Sequence, residues 1–395
     1  MSTGTTPPTP LAAGDEVELS IDSLAAGGDG VGRLADGRVV FVPLTAPGDR
    51  VRARVLSLRS RFARAEPTAL LAPGPGRTEP HCGVFGECGG CQWQHLDYPT
   101  QCAAKRRIAE DALRRVGGFE LPGPLELVAS PVAYGYRARA RVAVAGKTVG
   151  FRRRKSHALC AVRACPVLEP AVEARLAKLA DAAPERDGEW ELTADGARPL
   201  SRRGGRPRAI EVEGDLLRAS PGVFFQGHAG LHGALRRAVA EAAGQGGAAL
   251  ELHSGVGFFT LPLARSFARV VAVESDRAAV ADLRHNLRRA GIEGVEVRAE
   301  RVELALRAPE LAALSPDAVV LDPPRTGLAP GDPEALAALG PRRIVYLSCD
   351  PATQARDLRT LAEAGYGLDG AKVFDLFPQT SHVEVLAWLS PHPPR

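Results

Sequence analysis

The sequence predicts an α/β fold in which a small β-barrel and a mainly β central segment precede a doubly wound, Rossmann-like sheet. At 395 residues the chain is too long for one ordinary domain. After about residue 229, helical and strand patterns alternate to the end, which is typical of a doubly wound parallel sheet. Before that point, short alternating strands are separated by glycine turns. We therefore expect a leader over residues 1–14, a barrel over 15–72, a central domain over 73–228 and the doubly wound domain over 229–395.

The start of the chain predicts a disordered leader on a cytoplasmic protein. It is rich in Thr and Pro and lacks the basic-then-apolar order of a signal peptide. No apolar run in the chain approaches the length of a membrane span. The seven cysteines are an odd number in a chain without a secretion signal, which argues against a disulfide framework.

Residues 15–72 predict an OB-like barrel. Residues 17–21 alternate apolar and polar side chains, as a half-buried strand does. Glycines over 27–32 break the chain before a second strand at 38–43, and residues 50–56 alternate again with arginines outward and valines inward. Short strands with glycine turns suit a barrel that binds oligonucleotides.

The next 156 residues, 73–228, predict a mainly β domain that also carries most of the cysteines. A Pro/Gly linker leads to a cysteine segment at 81–95. Residues 99–116 predict a basic amphipathic helix, with packing on the last domain as an alternative place for it. From about 126 to 225 the pattern is mostly strands, interrupted by a helix near 170–182.

Three cysteines lie within ten residues, at Cys82, Cys88 and Cys91. All-thiolate sets hold either zinc or an iron–sulfur cluster. Zinc ribbons normally use two Cys-x2-Cys pairs and this segment has one, so the spacing favours a 4Fe-4S cluster. Cys165 and Cys160 both qualify as the fourth ligand, and the spacing alone leaves that choice open.

The net charge is only +4, but its distribution indicates a polyanionic partner. Residues 137–163 hold nine Lys or Arg and no Asp or Glu. A second arginine group lies over 198–208 and a third over 50–64. Charge runs are usually solvated faces, but three clusters upstream of the doubly wound domain favour nucleic acid.

A glycine loop in the last domain predicts a nucleoside cofactor. A strand at 248–253 leads into a tight turn with Gly255 and Gly257, after which a helix begins. A second strand ends at Glu274, about 20 residues after the loop, where an acid accepts hydrogen bonds from ribose hydroxyls. The loop lacks the third glycine of a dinucleotide site and the Lys-Ser/Thr of a phosphate loop. A nucleoside without a pyrophosphate fits better, and S-adenosylmethionine is such a ligand.

A thiol and two acids at strand ends predict nucleophilic chemistry beside that cofactor. Cys349 and Asp322 each follow a buried apolar run, and such strand ends face the ligand crevice of an open α/β sheet. Free cysteine has a pKa of roughly 8.5, so activation needs a polar or cationic neighbourhood, for which Arg325 and the start of a predicted helix after Asp350-Pro351 are candidates. Glu384 enters the last predicted strand and is a candidate general base. Alone, Cys349 would fit as well as a buried strand-end thiol.

These motifs together resemble the RNA uracil-C5 methyltransferases, specifically the iron–sulfur branch that makes 5-methyluridine in 23S ribosomal RNA. The resemblance covers nearly the whole chain. Residues 31–51 resemble the TRAM barrel of that family, 251–264 its cofactor loop, 322–327 its substrate-side turn, 348–351 its nucleophile motif and 382–384 its base.

The resemblance implies a role for each matching residue. Cys349 would add to C6 of uracil, and Glu384 would remove the C5 proton. The implied contacts of S-adenosylmethionine are Gln226, His253, Gly255, Gly257, Phe258, Glu274 and Asp322. Arg325 would contact the substrate base, and the implied cluster ligands are Cys82, Cys88, Cys91 and Cys165, which favours Cys165 over Cys160. The expected partner is RNA, with 23S rRNA preferred to tRNA, and no obligate protein partner is expected.

The chain departs from the family pattern at three positions. His253 stands where an aromatic residue is usual, and Phe258 stands where Asn usually follows the second loop glycine. Asp350 replaces the Asn that usually follows the nucleophile, and its charge is expected to raise the pKa of Cys349.

Other functions fit parts of the pattern. The same chemistry on the T loop of tRNA is the nearest alternative. An RNA cytosine-C5 methyltransferase resembles this chain but carries a cysteine after Pro-Pro, where Arg325 stands. Arg325 likewise argues against an amino-group methyltransferase. A cluster-bearing RNA-binding protein with an inactive catalytic domain is disfavoured by intact Cys349, Asp322 and Glu384.

Overall fold

The computed structural model describes residues 11–200 and 206–392, which divide into two compact units. The first unit holds the described chain up to Gly86, Cys91–Ala104 and Gln379–Ser381; the second holds Glu87–Gly90, Lys105–Pro378 and the described chain from His382 onward. The first ten residues of the predicted leader lie outside the described residues.

The first unit is built around a closed barrel of five strands. The strands are β1 (Glu16–Leu24), β2 (Gly30–Arg33), β3 (Val39–Val42), β4 (Arg50–Leu58) and β5 (Phe62–Ala72), joined in the order β1-β2-β3-β5-β4. Alternation along each strand turns every second side chain inward. Small and β-branched residues such as Val40, Val51 and Ala63 therefore fill the barrel core. The OB-like barrel predicted from the sequence is confirmed.

Two outward arginines of β4 are paired with acids of β1. The two strands run antiparallel, with Glu16 opposite Arg54 and Glu18 opposite Arg52. Ion pairs join Arg54 to Glu16 at 3.5 Å and Arg52 to Glu18 at 2.8 Å. We call these four residues the ion-pair ladder. Its arginines neutralise acids on the neighbouring strand, so they add no net positive charge to that face of the barrel.

One helix, α1 (Tyr98–Arg115), begins in the first unit and continues in the second from Lys105 onward. Within the second unit its Lys105 is fully buried and lies 2.5 Å from Asp375. The same ammonium donates to the backbone carbonyl of Phe377 at 2.8 Å. A buried ion pair thus anchors the segment that leads into the last strand of the chain.

The central part of the second unit contains two small antiparallel sheets. After β6 (Glu126–Val128), the elements are β7 (Arg139–Ala145), β8 (Thr148–Arg152), β9 (Leu159–Ala161), α2 (Pro170–Asp181), β10 (Gly188–Thr193), β11 (Gly196–Pro199), β12 (Arg208–Val212) and β13 (Asp215–Ala219). One sheet has the order β11-β10-β7-β8-β9, and β12 pairs with β13. Several arginines of the basic 137–163 segment are tied to acids here, because Arg139 pairs with buried Glu191 and Arg163 pairs with Asp181. Arg202 and Arg203 of the second arginine group lie outside the described residues.

The rest of the second unit forms an eight-stranded sheet with its helices. In chain order the elements are α3 (His232–Ala243), β14 (Gly246–Leu252), α4 (Thr260–Ser266), β15 (Phe267–Val273), α5 (Arg277–Arg289), β16 (Val295–Arg298), α6 (Val302–Ala305), α7 (Pro309–Ala312), β17 (Ala318–Leu321), α8 (Asp332–Ala338), β18 (Arg343–Ser348), α9 (Pro351–Glu363), β19 (Tyr366–Phe374) and β20 (Glu384–Pro391). The strand order is β16-β15-β14-β17-β18-β20-β19-β6. Its central strands are apolar on both faces, as strands covered by helices on both sides must be.

The Rossmann-like class predicted for this part is confirmed, but the sheet is not wholly parallel. The five strands β14 to β18 run parallel to one another, whereas β20 runs antiparallel to both of its neighbours. The short connection from β19 to β20 contains no crossover helix, and parallel neighbours require such a crossover. This reversal decides which end of β20 reaches the site described below.

No helix among the described residues is long and apolar enough to cross a membrane.

Candidate active site

Four predicted site residues follow the carboxyl ends of parallel strands. His253 comes directly after β14, Glu274 after β15, and Asp322 after β17. Cys349 comes directly after β18. Because the pairing keeps these strand ends in register, the four side chains lie along one edge of the sheet.

Glu384 reaches the same edge from the opposite chain direction. It is the first residue of β20, and Val385 pairs with Ser348 at the carboxyl end of β18. Since β20 is antiparallel to β18, its beginning rather than its end lies beside Cys349. The Glu384 side chain is buried, with 3% of its surface exposed.

These residues line one cavity of about 460 Å³, a size that suits a small-molecule ligand. From the predicted set, its walls include Gln226, His253, Gly255, Glu274, Asp322, Arg325, Cys349 and Glu384. They also include four residues for which no separate role was predicted: Phe224, Asp276, Phe377 and His382. Phe224 is 67% exposed, an unusual position for a phenylalanine.

Burial raises the pKa of three carboxyl groups in and beneath the cavity. Burial raises the pKa of Asp322 to about 7. Burial also raises the pKa of Glu384 well above its ordinary value, with repulsion from Asp322 adding to the effect and Arg325 opposing it. Beneath them on β14, burial raises the pKa of Glu251 to about 8. Strongly shifted groups that share a cleft are typical of catalytic sites.

The Cys349 thiol is half-buried beside these acids. Burial raises its pKa to about 11, and the charge of Glu384 acts in the same direction. Arg325 lowers the pKa of this thiol through its charge and a hydrogen bond, while Asp322 raises it. Arg325 is therefore the cation that favours the thiolate, as the sequence predicted.

Asp350 stands at the predicted start of the helix after Cys349. Its carboxylate caps α9, accepting hydrogen bonds from the backbone N–H groups of Ala352 at 3.1 Å and Thr353 at 3.0 Å. The acids that raise the pKa of Cys349 are Glu384 and Asp322. The aspartate after Cys349 thus starts the helix that follows it.

His382 and Phe377 form the wall beside Arg325. The guanidinium of Arg325 lies 3.3 Å from Nε2 and 3.4 Å from Nδ1 of His382. The His382 ring meets Phe377 edge to face, with centroids 5.7 Å apart. Burial, with Arg325 next in effect, lowers the pKa of His382 to about 4, so the ring is neutral at physiological pH.

The glycine loop is held by the acid predicted to bind ribose. One oxygen of Glu274 accepts from the backbone N–H of Gly255 at 2.9 Å, and the other accepts from Asp276 N–H at 2.7 Å. His253 precedes the loop at φ 60°, a left-handed conformation that costs free energy in a residue with a Cβ. Such strain is typical of positions whose geometry a site requires.

Gly257 and Phe258 lie in the core rather than along the cavity. A Cβ at Gly257 would come within 2.5 Å of Leu283 on α5, so glycine is needed for close packing there. The Phe258 ring is 7% exposed and packs against Phe225 and His232. Gly257 and Phe258 therefore pack beneath the glycine loop. The family resemblance implied instead that both residues contact the cofactor.

Sequence reasoning missed Asp357, a buried acid on α9. Its Oδ2 accepts from the Tyr346 hydroxyl at 2.7 Å and from the backbone N–H of Leu328 at 2.8 Å. At Gly327, where φ is +73°, an added Cβ would lie 2.5 Å from the same oxygen. Asp357 therefore joins the strand that carries Cys349 to the turn that carries Arg325. The sequence signal that could have identified Asp357 is that this acid stands beside Leu358 on the apolar face of α9.

The four predicted cluster ligands are all partly buried. In the first unit, the backbone N–H of Cys82 donates to Gln94. In the second unit, Cys88 forms an isolated bridge with Arg153, and the backbone N–H of Cys165 donates to Glu173. Cys160 is buried in β9. Among residues 11–200 and 206–392, no three His, Cys, Asp or Glu side chains are grouped as a metal site.

The fold and the cavity define a Rossmann-like enzyme of the methyltransferase class. Residues 216–392 match the family model described as tRNA (Uracil-5-)-methyltransferase, and residues 10–68 match the TRAM domain. An uncharacterized RNA methyltransferase of Gloeobacter violaceus is 34% identical over 97% of this chain and 98% of its own. The 23S rRNA (uracil(1939)-C(5))-methyltransferase RlmD of Aromatoleum aromaticum is 36% identical over 93% of this chain and 98% of its own.

A solved structure shares the fold over most of the chain. The Pyrococcus abyssi tRNA (uracil-54, C5)-methyltransferase, in complex with S-adenosyl-L-homocysteine, superposes with a TM-score of 0.73 at 25% identity. The match covers 94% of this chain and 100% of that one. The chain belongs to the RNA uracil-C5 methyltransferase family.

Proposed function

We propose that this protein transfers a methyl group from S-adenosylmethionine to C5 of a specific uridine in 23S rRNA. The observation that carries the proposal is the meeting of Cys349, Asp322, Arg325 and Glu384 in one cavity at the carboxyl edge of the sheet. Relatives named 23S rRNA (uracil(1939)-C(5))-methyltransferase, at 32% to 36% identity, support the choice of substrate. The predicted division assigns RNA binding to residues 15–72 and the chemistry to residues 229–395.

The cofactor would occupy the part of the cavity beside the glycine loop. Gly255 permits close approach of the backbone, and Glu274 and Asp276 supply carboxylates for ribose hydroxyls. Gln226 and His253 line the same part. Bound there, S-adenosylmethionine supplies the methyl group as an electrophile. The homologous enzyme of Pyrococcus abyssi holds S-adenosyl-L-homocysteine, which agrees with this ligand class.

Cys349 is the proposed nucleophile. C5 of uracil is too weak a nucleophile to accept a methyl group unaided. When the sulfur bonds to C6, the electrons of the C5–C6 double bond make C5 an enolate-like carbon that takes the methyl group. Because burial raises the pKa of Cys349, the thiolate needs a stabilising cation, and Arg325 is placed to supply it.

Glu384 is the proposed base for the closing step. It removes the proton from C5, the C5–C6 double bond forms again, and the sulfur leaves C6 as a thiolate. A pKa raised by burial makes the carboxylate a stronger proton acceptor than an exposed glutamate. The β20 reversal supports this role by setting Glu384 next to the strand end that carries Cys349.

The remaining cavity residues suit a single uracil. Its edge offers two carbonyl oxygens and one N–H, which match the guanidinium of Arg325 and the carboxylate of Asp322. Exposed Phe224 offers a ring on which a flipped base can stack. A uridine in folded RNA must leave its stack before Cys349 can reach C6.

Mapping of 5-methyluridine tests the substrate. In a strain that lacks this gene, one 5-methyluridine of 23S rRNA should disappear while the T loop of tRNA keeps its own. Purified protein should then restore that position in the unmethylated rRNA. Loss of the modification from tRNA alone would establish the second candidate, tRNA (uracil-5-)-methylation, which the family description and the Pyrococcus abyssi relative favour.

We also propose a 4Fe-4S cluster on Cys82, Cys88, Cys91 and Cys165. The proposal rests on the chemistry of four thiols and their sequence spacing, since no metal group is formed among the described residues. Anaerobically purified protein should contain about four irons per chain and absorb visible light. Cys165→Ser should lose the iron and Cys160→Ser should keep it. Stoichiometric zinc without iron would refute the cluster, and the reverse result for the two variants would refute the ligand set.

A further inference from the structure

Two phenylalanines stand on the outer surface of the barrel. Phe41 of β3 and Phe62 of β5 lie on neighbouring strands, with ring centroids 5.9 Å apart and planes at 73°. The guanidinium of Arg64 lies over the Phe41 ring, 5.6 Å from its centroid. We call Phe41, Phe62 and Arg64 the aromatic platform.

The aromatic platform is not part of the barrel core. Strand alternation sends Val40, Val42 and Ala63 inward, and these residues fill the core. Phe41 and Phe62 occupy the alternate, outward positions and remain partly exposed. Each ring therefore offers part of its surface to a partner outside the barrel.

Positive charge surrounds the aromatic platform. Arg59 and Arg61 are exposed at the turn between β4 and β5, next to Phe62. Arg64 keeps 52% of its side chain exposed although Asp29 lies 3.4 Å away. This face therefore differs from the ion-pair ladder, where each arginine is matched by a glutamate and no ring is present.

We propose that the aromatic platform binds an unpaired stretch of RNA, one base stacking on the rings and its flanking phosphates contacting Arg59 and Arg61. Rings and guanidinium planes stack on bases that are free of a duplex, so a single strand is the matching partner. Phosphates complete the fit because they are drawn to exposed arginines. The inference rests on the proposed function, since it assigns part of the RNA substrate to this face.

Fluorescence anisotropy with labelled RNA tests this assignment. The probes are an unstructured single-stranded RNA and a hairpin of equal length, titrated with the full chain at low salt. Phe62→Leu keeps apolar bulk but removes the ring, and should weaken single-strand binding about tenfold while changing hairpin binding less. Arg59→Gln/Arg61→Gln should lower the salt dependence of single-strand binding by about 1.4 in logarithmic slope, about 0.7 for each phosphate contact. The matched control on β4, Arg52→Gln/Arg54→Gln in the ion-pair ladder, should change either affinity less than about twofold.

The outcomes separate this inference from the proposed function. Unchanged single-strand binding by folded Phe62→Leu, or an equal loss in the ladder control, would overturn the aromatic platform. If Phe62→Leu unfolds, Arg64→Gln replaces it and must show the same selective loss. Wild-type methyl transfer to 23S rRNA is measured in parallel. If the wild type methylates RNA but the platform variants bind single-stranded RNA as the wild type does, only this inference is refuted. If the wild type transfers no methyl group to any RNA, the proposed function is refuted.

Discussion

The ion-pair ladder of the barrel and the cavity at the sheet edge differ in how their charged groups are arranged. On the barrel, Arg52 and Arg54 are exposed and each has a glutamate within 3.5 Å on the neighbouring strand. In the cavity, Asp322 and Glu384 are buried and repel each other, with Arg325 as the opposing cation. In these two regions, the ladder pairs opposite charges in water, which screens them, and the cavity places two acids together where burial limits that screening.

The ladder charges are compatible with the fold but contribute little to it, whereas the cavity charges are the ones that the proposed chemistry uses. Exposed pairs contribute little stability, because their attraction is screened and side-chain entropy opposes it. Buried like charges cost stability, and evolution keeps them where shifted pKa values are useful. Changes in the cavity should therefore alter activity strongly, whereas changes in the ladder should alter almost nothing.

The largest effect should come from Cys349→Ala. Without the thiol, C5 of uracil cannot be activated, so methyl transfer should fall by about a thousandfold or more. Binding of S-adenosylmethionine and of RNA should stay close to wild type because the substituted side chain is small and half-buried. Transfer from labelled S-adenosylmethionine to RNA measures the effect. Near-normal turnover would show that another group is the nucleophile.

Glu384→Gln should block the second half of the cycle. Addition and methyl transfer can proceed, but loss of the C5 proton should slow about 100- to 10,000-fold. A covalent protein–RNA adduct should accumulate, visible as a denaturant-resistant band that needs both Cys349 and S-adenosylmethionine. As a control, 5-fluorouridine RNA should trap the wild type in the same way, because fluorine cannot leave as a cation. Normal turnover without adduct would assign the base to another residue.

The buried pair Lys105–Asp375 should be sensitive to loss of one partner. Lys105→Met leaves Asp375 buried without its ammonium, which costs about 3–5 kcal/mol of unfolding free energy. Denaturant unfolding measures the loss. Lys105→Met/Asp375→Leu should recover part of it, because no isolated charge remains. A single variant as stable as the wild type would contradict this prediction.

The pH dependence of Cys349 alkylation should respond to the two neighbouring charges in opposite directions. The thiolate is the reactive form, and a pKa of about 11 means that alkylation keeps rising as the pH rises above neutrality. Asp322→Asn removes a charge that raises this pKa, so the profile should move to lower pH. Arg325→Gln removes a charge that lowers it, so the profile should move to higher pH. Each shift should be about one pH unit, measured by mass spectrometry of the Cys349 peptide.

A matched control for these shifts is Asp350→Asn. Its carboxylate is engaged with the start of α9, so the alkylation profile should move much less than with Asp322→Asn. Equal shifts for the two variants would show that the helix cap does not withdraw Asp350 from the thiol.

The smallest effect should come from the ion-pair ladder. Arg54→Gln removes an exposed pair at 3.5 Å from Glu16, and should shift the unfolding temperature by less than about 2 °C. Methyl transfer should be unchanged. A large destabilisation would show that the barrel depends on its surface charges, and the contrast with the cavity would fail.

Local patterns in the sequence were enough to predict the barrel and most of the residues that lie along the sheet edge. Alternation with glycine turns predicted the barrel, because the order of apolar and polar residues within a strand indicates which of its faces is buried. The site residues after β14, β15, β17 and β18 were also predictable, since parallel strands bring their carboxyl ends to one edge whatever their separation in sequence.

The sequence by itself therefore determined the fold class and the strand-end positions of Cys349 and of the acids of the cavity, because residue type and strand position are both local. Tertiary structure decided the rest, because pairing between distant segments has no local signal. Only the fold shows that β20 is antiparallel and that Asp357 joins the turn of Arg325 to the strand of Cys349. Only the fold shows that Arg52 and Arg54 face glutamates and that Phe41 and Phe62 meet on neighbouring strands. Which charges are neutralised and which are isolated depends on cross-strand neighbours, and these are set by the folded chain.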